Sequence, residues 1–242
     1  MTSTQLVHEI RSFCQDNTNE ANILKYSRYF KDGNYNAYGL TADQMVSKSK
    51  ELCKKSGISL SLVLDAAPSL IQSPKHEEAQ LVMLLVRDLH KQYSKESFKS
   101  IAHWFSLGIT NWAQADLLAT GIISPFLEKK IIEVSDLKSW LTAFNKFQRR
   151  SVPVSLIKSL KTHPRFTELF SFIDCLMTDP EREVHQGTGW FLREAWKKNP
   201  VVTEKFLLKW KNISPRLIFQ YATEKMTADQ KARFKRENNT EH

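Results

Sequence analysis

The segment TNWAQADLLA, Thr110 to Ala119, contains two residues that could act on one ligand. Trp112 and Asp116 lie four residues apart, which in a helix turns them only about 40° from one another, so both project from one face. A tryptophan ring attracts cations through its quadrupole, and a carboxylate stabilises positive charge that grows as a bond breaks. Taken alone, the pair fits a core tryptophan and a salt-bridged aspartate equally well.

Three further segments carry side chains of similar kinds. GWFLREAW places Trp190 and Arg193 three residues apart, again on one helical face. FQRR contains Arg149 and Arg150, and the aromatic-rich segment YSRYFKDGNYNAYG contains Tyr29. Each of these alone is more typical of ordinary structure, namely core or loop-anchoring aromatic residues and a solvated basic face.

Their combination suits one chemical problem, the hydrolysis of an N-glycosidic bond to an alkylated purine. Tryptophan faces attract the cationic base, and arginines hold phosphates bidentately. One carboxylate can support the oxocarbenium-like sugar while it orients water. Because the alkylated base is already a good leaving group, no strong general acid is needed.

Composition indicates a helical globular protein. Of 242 residues, 41% are hydrophobic and 25% charged, and the 7 glycines and 8 prolines are too few for a turn-rich all-β fold.

The three cysteines, Cys14, Cys53 and Cys175, form no CxxC pair, so we predict neither a disulfide framework nor a metal site. The N-terminus lacks the pattern of a signal peptide and no long apolar run follows, so we expect a cytoplasmic protein with no membrane partner.

The positive charge is concentrated in the C-terminal part. The net charge is +9; residues 1–140 hold 16 basic and 15 acidic side chains, whereas residues 141–242 hold 19 and 11. Such an excess attracts polyanions such as nucleic acid or anionic lipid and makes binding salt-dependent.

Apolar residues recur at helical spacing along most of the chain, for example at Leu81, Leu84, Leu85 and Leu89. Short breakers separate helices of roughly 10 to 18 residues, and neither alternating strand patterns nor βαβ signals occur. The sequence therefore predicts an all-α fold. Short loops favour antiparallel helix pairs stacked as a right-handed HEAT-like or armadillo-like α-solenoid, a single domain over residues 1–242, although no repeat is visible and a compact bundle is the alternative.

Local signals mark several helix starts. Thr41, Ser94 with Ser97, and Asp179 before Pro180 are typical of helix N-termini. Proline is tolerated in a first helical turn, so Pro153 predicts a helix that begins close to Arg149 or Arg150.

Four short patterns occur in the order found in a known family. They are SRYFK (Ser27 to Lys31) followed by YGL, then NWAQAD, FQRR and GWFLREAWKKNP. Together they resemble the AlkD-like DNA alkylation repair glycosylases, which are built of HEAT-like helical repeats. The last pattern is the most specific of the four.

The resemblance implies a role for each motif residue. Asp116 would be the catalytic carboxylate, Trp112 and Trp190 would flank the lesion nucleotide, and Tyr29 would lie near the same cleft. Contacts with the DNA backbone are implied for three arginines, Arg150, Arg193 and, if the register shifts by one residue, Arg149.

The resemblance also implies the reaction and the partner. We expect a monofunctional glycosylase that releases N3- or N7-alkylated purines from duplex DNA held on a concave surface, without swinging the base into a deep pocket. It would act as a monomer, with no metal and no small cofactor, and would be nucleoid-associated when it acts on DNA. Two alternatives remain: a catalytically inactive HEAT-like protein that binds nucleic acid, and a protein-interaction scaffold.

Overall fold

The structure, a computed structural model, describes residues 1–30, 35–161 and 166–236, and every regular element within these ranges is a helix. The all-α prediction is confirmed. Many helices are shorter than predicted, as in the 4-residue helix Trp104–Leu107. That helix ends at Gly108, where a Cβ would lie 2.5 Å from the carbonyl oxygen of Ile71. None of the helices in the described ranges combines the length and apolarity needed to cross a membrane.

The chain divides into two compact units, Met1–Phe126 and Leu127–His242, and each is described by itself. The predicted organisation as one HEAT-like domain over residues 1–242, with a concave face, stays a prediction.

In the first unit, α5 is the central helix. The helices of this unit are α1 (Ser3–Asp16), α2 (Glu20–Ser27), α3 (Ala42–Cys53), α4 (Leu60–Ile71), α5 (His76–Asp88), a 3₁₀ helix (His90–Gln92), α6 (Lys95–Ala102), α7 (Trp104–Leu107), α8 (Trp112–Leu117), a π-helix (Leu118–Ile123) and α9 (Ser124–Glu128), within which the unit boundary falls. α5 packs against α1, α3 and α4, and its Leu81 and Leu85 are fully buried. The helical periodicity seen in the sequence is thus the core-facing pattern of this helix.

In the second unit, α12 has the central position. The helices are α10 (Lys146–Leu156), α11 (Phe166–Ile173), α12 (Arg182–Lys198), α13 (Pro200–Trp210), α14 (Arg216–Ala222), α15 (Ala228–Ala232) and three 3₁₀ helices (Val134–Thr142, Lys158–Lys161 and Asp174–Thr178). α12 packs against α10, α13 and α14. Packing between helices two apart in the chain, as in α10, α12 and α14, is what stacked helix pairs produce.

Two of the predicted helix starts are confirmed as capping boxes. The side chain of Thr41 accepts a hydrogen bond from the Gln44 amide at the start of α3, and that of Ser94 accepts one from the Ser97 amide at the start of α6. Such caps satisfy amides that the helix itself leaves unpaired, and they depend only on neighbouring residues.

Two other predicted starts were wrong by a few residues. α10 begins at Lys146 rather than near Arg149 or Arg150. The Asn145 side chain accepts a hydrogen bond from the Phe147 amide at 2.8 Å and so caps the helix there. Pro153 therefore lies inside the helix and has no N–H to donate to the carbonyl four residues back. α12 begins at Arg182, after a turn in which the Asp179 carboxylate accepts the Glu181 amide at 2.9 Å.

A buried carboxylate at the start of α5 holds the extended segment 38–40. Glu77 accepts hydrogen bonds from the amides of Tyr38 at 2.9 Å, Gly39 at 2.7 Å and Leu40 at 3.2 Å. Gly39 has a φ of +84°, in the region that favours glycine. The carboxylate thereby fixes the end of the aromatic-rich segment and the residue that follows it.

Glu77→Gln should lower the free energy of unfolding by about 2 kcal/mol, because an amide offers one acceptor oxygen and turns an NH₂ group toward backbone donors. Urea denaturation followed by circular dichroism measures this difference. Glu128→Gln is the matched control, since Glu128 is exposed at the end of α9 and should change little. Equal stability of the two variants would show that the Glu77 contacts do not form in solution.

Candidate functional site

Trp112 and Asp116 both lie on α8, as the sequence predicts. The Asn111 side chain caps this helix by accepting the Gln114 amide at 3.0 Å, so Trp112 is its first residue. Trp112 is 41% exposed and Asp116 is half-buried, whereas Trp104 and Trp140 belong to the core. An aromatic surface and a carboxylate are therefore both accessible on this short helix.

Trp112 belongs to an aromatic group that we define as Phe30, Tyr35, His76 and Trp112. The Phe30 ring stacks on Trp112 with centroids 5.9 Å apart and on Tyr35 at 4.6 Å, while His76 approaches Phe30 edge-on at 5.1 Å. The indole N–H of Trp112 also donates to the carbonyl of Tyr29 at 3.4 Å, and the Tyr29 side chain is exposed. The structure thus brings Tyr29 to Trp112.

Part of the segment that carries this group is not described. Lys31, the last residue of the SRYFK motif, lies outside the described residues together with residues 32–34. The sequence singled out the aromatic-rich segment but gave no sign of His76, whose neighbours in the chain are polar.

Burial keeps the titratable members of the aromatic group uncharged near neutral pH. It lowers the pKa of His76 below its ordinary value, against the opposing effect of the Glu77 charge. It raises the pKa of Tyr35, and the Glu77 charge acts in the same direction. A planar cation that approaches Trp112 therefore meets no positive charge from this group, which favours a cation–π contact.

The π-helix that follows α8 was not predicted. The Ser124 amide donates to the Ala119 carbonyl five residues back, and the Ser124 hydroxyl donates to the same oxygen at 3.0 Å. Pro125 could have signalled it, because a proline cannot donate the hydrogen bond that an α-helix needs at that position. π-helical turns often occur at functional sites, and here the turn begins two residues after Asp116, with the Thr120 hydroxyl donating to the Asp116 carbonyl at 2.7 Å.

Arg149 is engaged on all three guanidinium nitrogens. Nε and Nη2 donate to the two carboxylate oxygens of Asp179 at 2.6 and 3.2 Å. Nη1 donates to the carbonyls of Ala143 at 2.6 Å and Phe144 at 3.1 Å. This bidentate, charge-assisted pairing fixes the chain that leads into α10.

Arg150 connects α10 to α12. Its side chain is buried, with only 6% of the residue exposed, and Nη1 donates to the Glu183 carbonyl at 2.7 Å. Gly187 leaves room for it, because a Cβ there would lie 2.9 Å from Cγ of Arg150.

Trp190 and Arg193 lie on the same helix, α12, and both are half-buried. The Arg193 side chain is 20% exposed; Nε donates to Glu194 at 3.1 Å, and Nη1 pairs with Glu224 just after α14. Burial raises the pKa of Glu194, but hydrogen bonds from Lys197 and Arg193 outweigh it and lower the pKa overall. Arg193 is thus held in a surface network of ion pairs.

The predicted site residues fall into two sets. Trp112, Asp116 and Tyr29 come together in the first unit, and the three arginines and Trp190 lie on α10 and α12 of the second. In the described ranges, no three His, Cys, Asp or Glu side chains group as metal ligands would.

The fold is that of several all-helical bacterial proteins. A structure described as a predicted DNA alkylation repair enzyme from Enterococcus faecalis has a TM-score of 0.73 and 17% identity, over 87% of this chain and 97% of its own. AlkD2 from Streptococcus mutans has a TM-score of 0.59 and 20% identity, over 86% and 99%. The protein smu.31 from Streptococcus mutans UA159 has a TM-score of 0.57 and 21% identity, over 85% and 100%.

The chain belongs to the DNA alkylation repair enzyme family, whose model matches residues 10–226. The resemblance predicted from the four motifs is confirmed. Membership gives the protein an enzymatic role in the repair of alkylated DNA. Among curated proteins, none is significantly similar to the chain.

Proposed function

We propose that the protein is a monofunctional DNA glycosylase that hydrolyses the N-glycosidic bond of cationic N3- or N7-alkylated purines in duplex DNA. It acts as a monomer and without a metal or small cofactor. The observation that carries this proposal is the accessible Trp112 ring one helical turn from Asp116, in a chain of the alkylation repair family.

Trp112 recognises the charge on the base. An alkylated purine is planar and cationic, so the face of an exposed indole attracts it, by about 2 kcal/mol or more once water is excluded. Stacking on Phe30 and the hydrogen bond to the Tyr29 carbonyl hold the indole in place. An undamaged purine carries no such charge and gains less from this contact.

Asp116 acts on the sugar. As the bond to the base breaks, its electron pair leaves with the base, which thereby becomes neutral, and positive charge develops on the sugar. The carboxylate stabilises this charge and orients a water molecule, whose oxygen bonds to the anomeric carbon while its proton passes to solvent. Protein, DNA and water alone supply every atom that the step needs.

Arg193 and Arg150 hold the DNA backbone, and Trp190 and Tyr29 border the lesion. The partly exposed guanidinium of Arg193 supports a phosphate contact most directly. Arg149 has all three nitrogens engaged inside the protein, so we assign it a positioning role. Arg150 is itself only 6% exposed, and the second backbone contact is placed there on the resemblance of the FQRR motif alone.

Base release from methylated duplex DNA tests the proposal. Purified protein in a buffer with chelator should release 7-methylguanine or 3-methyladenine, detected by chromatography, and should leave unmodified DNA intact. Methylated DNA that stays untouched by the wild-type protein would defeat the excision claim. Salt-dependent binding without release would then indicate an inactive nucleic-acid-binding protein, and indifference to DNA would indicate a protein-interaction scaffold.

A further inference from the structure

Phe144 is the most exposed large hydrophobic side chain in the described part of the protein, with a relative exposure of 103%. It lies between the 3₁₀ helix Val134–Thr142 and α10, one residue before the cap Asn145. The ring therefore contributes nothing to the core of its unit, and full exposure forgoes the hydrophobic gain that burial would give.

The backbone that presents Phe144 is held by a buried charge pair. Arg149 donates to the carbonyls of Ala143 at 2.6 Å and Phe144 at 3.1 Å, and its other two nitrogens bind Asp179. Both side chains of this pair are largely buried, with exposures of 12% for Arg149 and 5% for Asp179. Hydrogen bonds from Arg149 thus hold the backbone at the position in which the Phe144 ring is exposed.

An exposed ring on a fixed backbone is typical of an anchor for a binding partner. Anchors bind well when little conformational freedom is lost on association, and a fixed backbone meets that condition. Phe144 also precedes, by six residues, the arginine that we propose as a backbone contact; Phe144 lies just before α10 and Arg150 lies within its first half.

Charge favours duplex DNA as the partner. The unit Leu127–His242 carries 22 lysines and arginines against 14 aspartates and glutamates, an excess that attracts a polyanion. Apolar side chains of DNA-binding proteins insert between base steps, and aromatic rings stack on bases that have lost a partner. Damaged positions, where pairing and stacking are already weakened, yield to such insertion most easily.

We propose that Phe144 is a wedge that stacks on the bases of duplex DNA at a damaged or abasic position. The proposal rests on the DNA partner of the proposed function but does not require base release. Arg149 is its positioning residue, because it fixes the carbonyls on either side of the Phe144 nitrogen and Cα.

Binding to a duplex that holds a tetrahydrofuran abasic analogue next to 2-aminopurine tests the wedge. Phe144→Ala should weaken binding about 10-fold, as expected for the loss of one stacked base, and should remove the change in 2-aminopurine fluorescence. Phe144→Trp should restore both. The slope of the logarithm of affinity against the logarithm of salt concentration should stay unchanged, since a phenyl ring neutralises no phosphate.

Ile213→Ala is the matched control, because Ile213 is 64% exposed in the same unit and should leave binding as it is. If Phe144→Ala binds the abasic duplex as tightly as the wild-type protein does, with the same fluorescence change, the wedge is wrong. It is equally wrong if the variant binds DNA normally but loses a dimer seen by sedimentation, since the ring would then serve a protein contact.

The wedge and the proposed function can fail separately. If Phe144→Ala releases bases and binds DNA as the wild-type protein does, only the wedge proposal is contradicted. A wild-type protein that releases no base, yet loses affinity and the fluorescence response with Phe144→Ala, would remove only the glycosylase proposal.

Discussion

Asp116→Asn is expected to remove most base release while DNA binding stays close to that of the wild-type protein. Asparagine has nearly the same shape as aspartate but offers no negative charge to the sugar cation. Loss of one preorganised electrostatic contact to a developing charge lowers rate constants about 100- to 1000-fold. Single-turnover release of 7-methylguanine, with affinity for an abasic-analogue duplex measured in parallel, separates chemistry from binding.

Asp65→Asn is the matched control for the charge change. Asp65 is an exposed carboxylate on α4 in the same unit, so its loss alters the net charge equally but should leave the release rate within about twofold, as expected for a surface substitution. If Asp116→Asn excises nearly as fast as this control, the reaction does not depend on the Asp116 charge. If it instead loses its folded stability, the carboxylate serves α8 and not the substrate.

The part of the site that sequence could predict is the part set by short spacings. A helix fixes the angle between residues four apart, so the shared face of Trp112 and Asp116 follows from their spacing once a helix is assumed. The caps at Thr41 and Ser94 are predictable for the same reason, since donor and acceptor lie three residues apart.

The rest depends on contacts between distant parts of the chain. His76 joins Phe30 across 46 residues, and Arg149 finds Asp179 across 30. The sequence around His76 and Asp179 does not reveal these contacts, because a histidine at the start of a helix and an aspartate before a proline are both common. Tertiary packing, and not the spacing of residues along the chain, therefore determines that Arg149 is bound by Asp179 and that Trp112 lies in an aromatic group.

Two glycines in the GTGW segment show how packing also positions the helices that carry Arg150 and Arg193 in the second unit. α12 is flanked by α10 and α14, and each neighbour comes close at one glycine. A Cβ on Gly187 would lie 2.9 Å from Cγ of Arg150, whereas a Cβ on Gly189 would lie 2.5 Å from Cβ of Tyr221 and 2.7 Å from the Ile218 carbonyl oxygen. A side-chain Cγ can move aside, but the backbone carbonyl at Ile218 cannot do so without shifting α14.

Gly189→Ala should therefore lower the free energy of unfolding by about 2 kcal/mol, the cost of overpacking less the helix propensity that alanine gains. Urea denaturation measures this change. Gly121→Ala is the matched control, since its Cβ would meet only side-chain atoms, Cδ1 of Leu117 at 3.3 Å and Cδ of Arg87 at 3.5 Å, which can move aside. Equal stability of the two variants would mean that α14 does not approach α12 so closely in solution.

The same substitution should also weaken DNA binding where the variant remains folded. Arg193 follows Gly189 on α12, and its partner Glu224 follows α14, so a shift of α14 moves one member of the ion pair away from the other. An arginine without its partner samples more orientations, and ordering it against a phosphate then costs more entropy. Affinity should fall with little change in the salt slope, because the number of cationic contacts is the same. A much smaller dependence of affinity on salt concentration would instead mean that α12, with its arginine, no longer contacts the DNA.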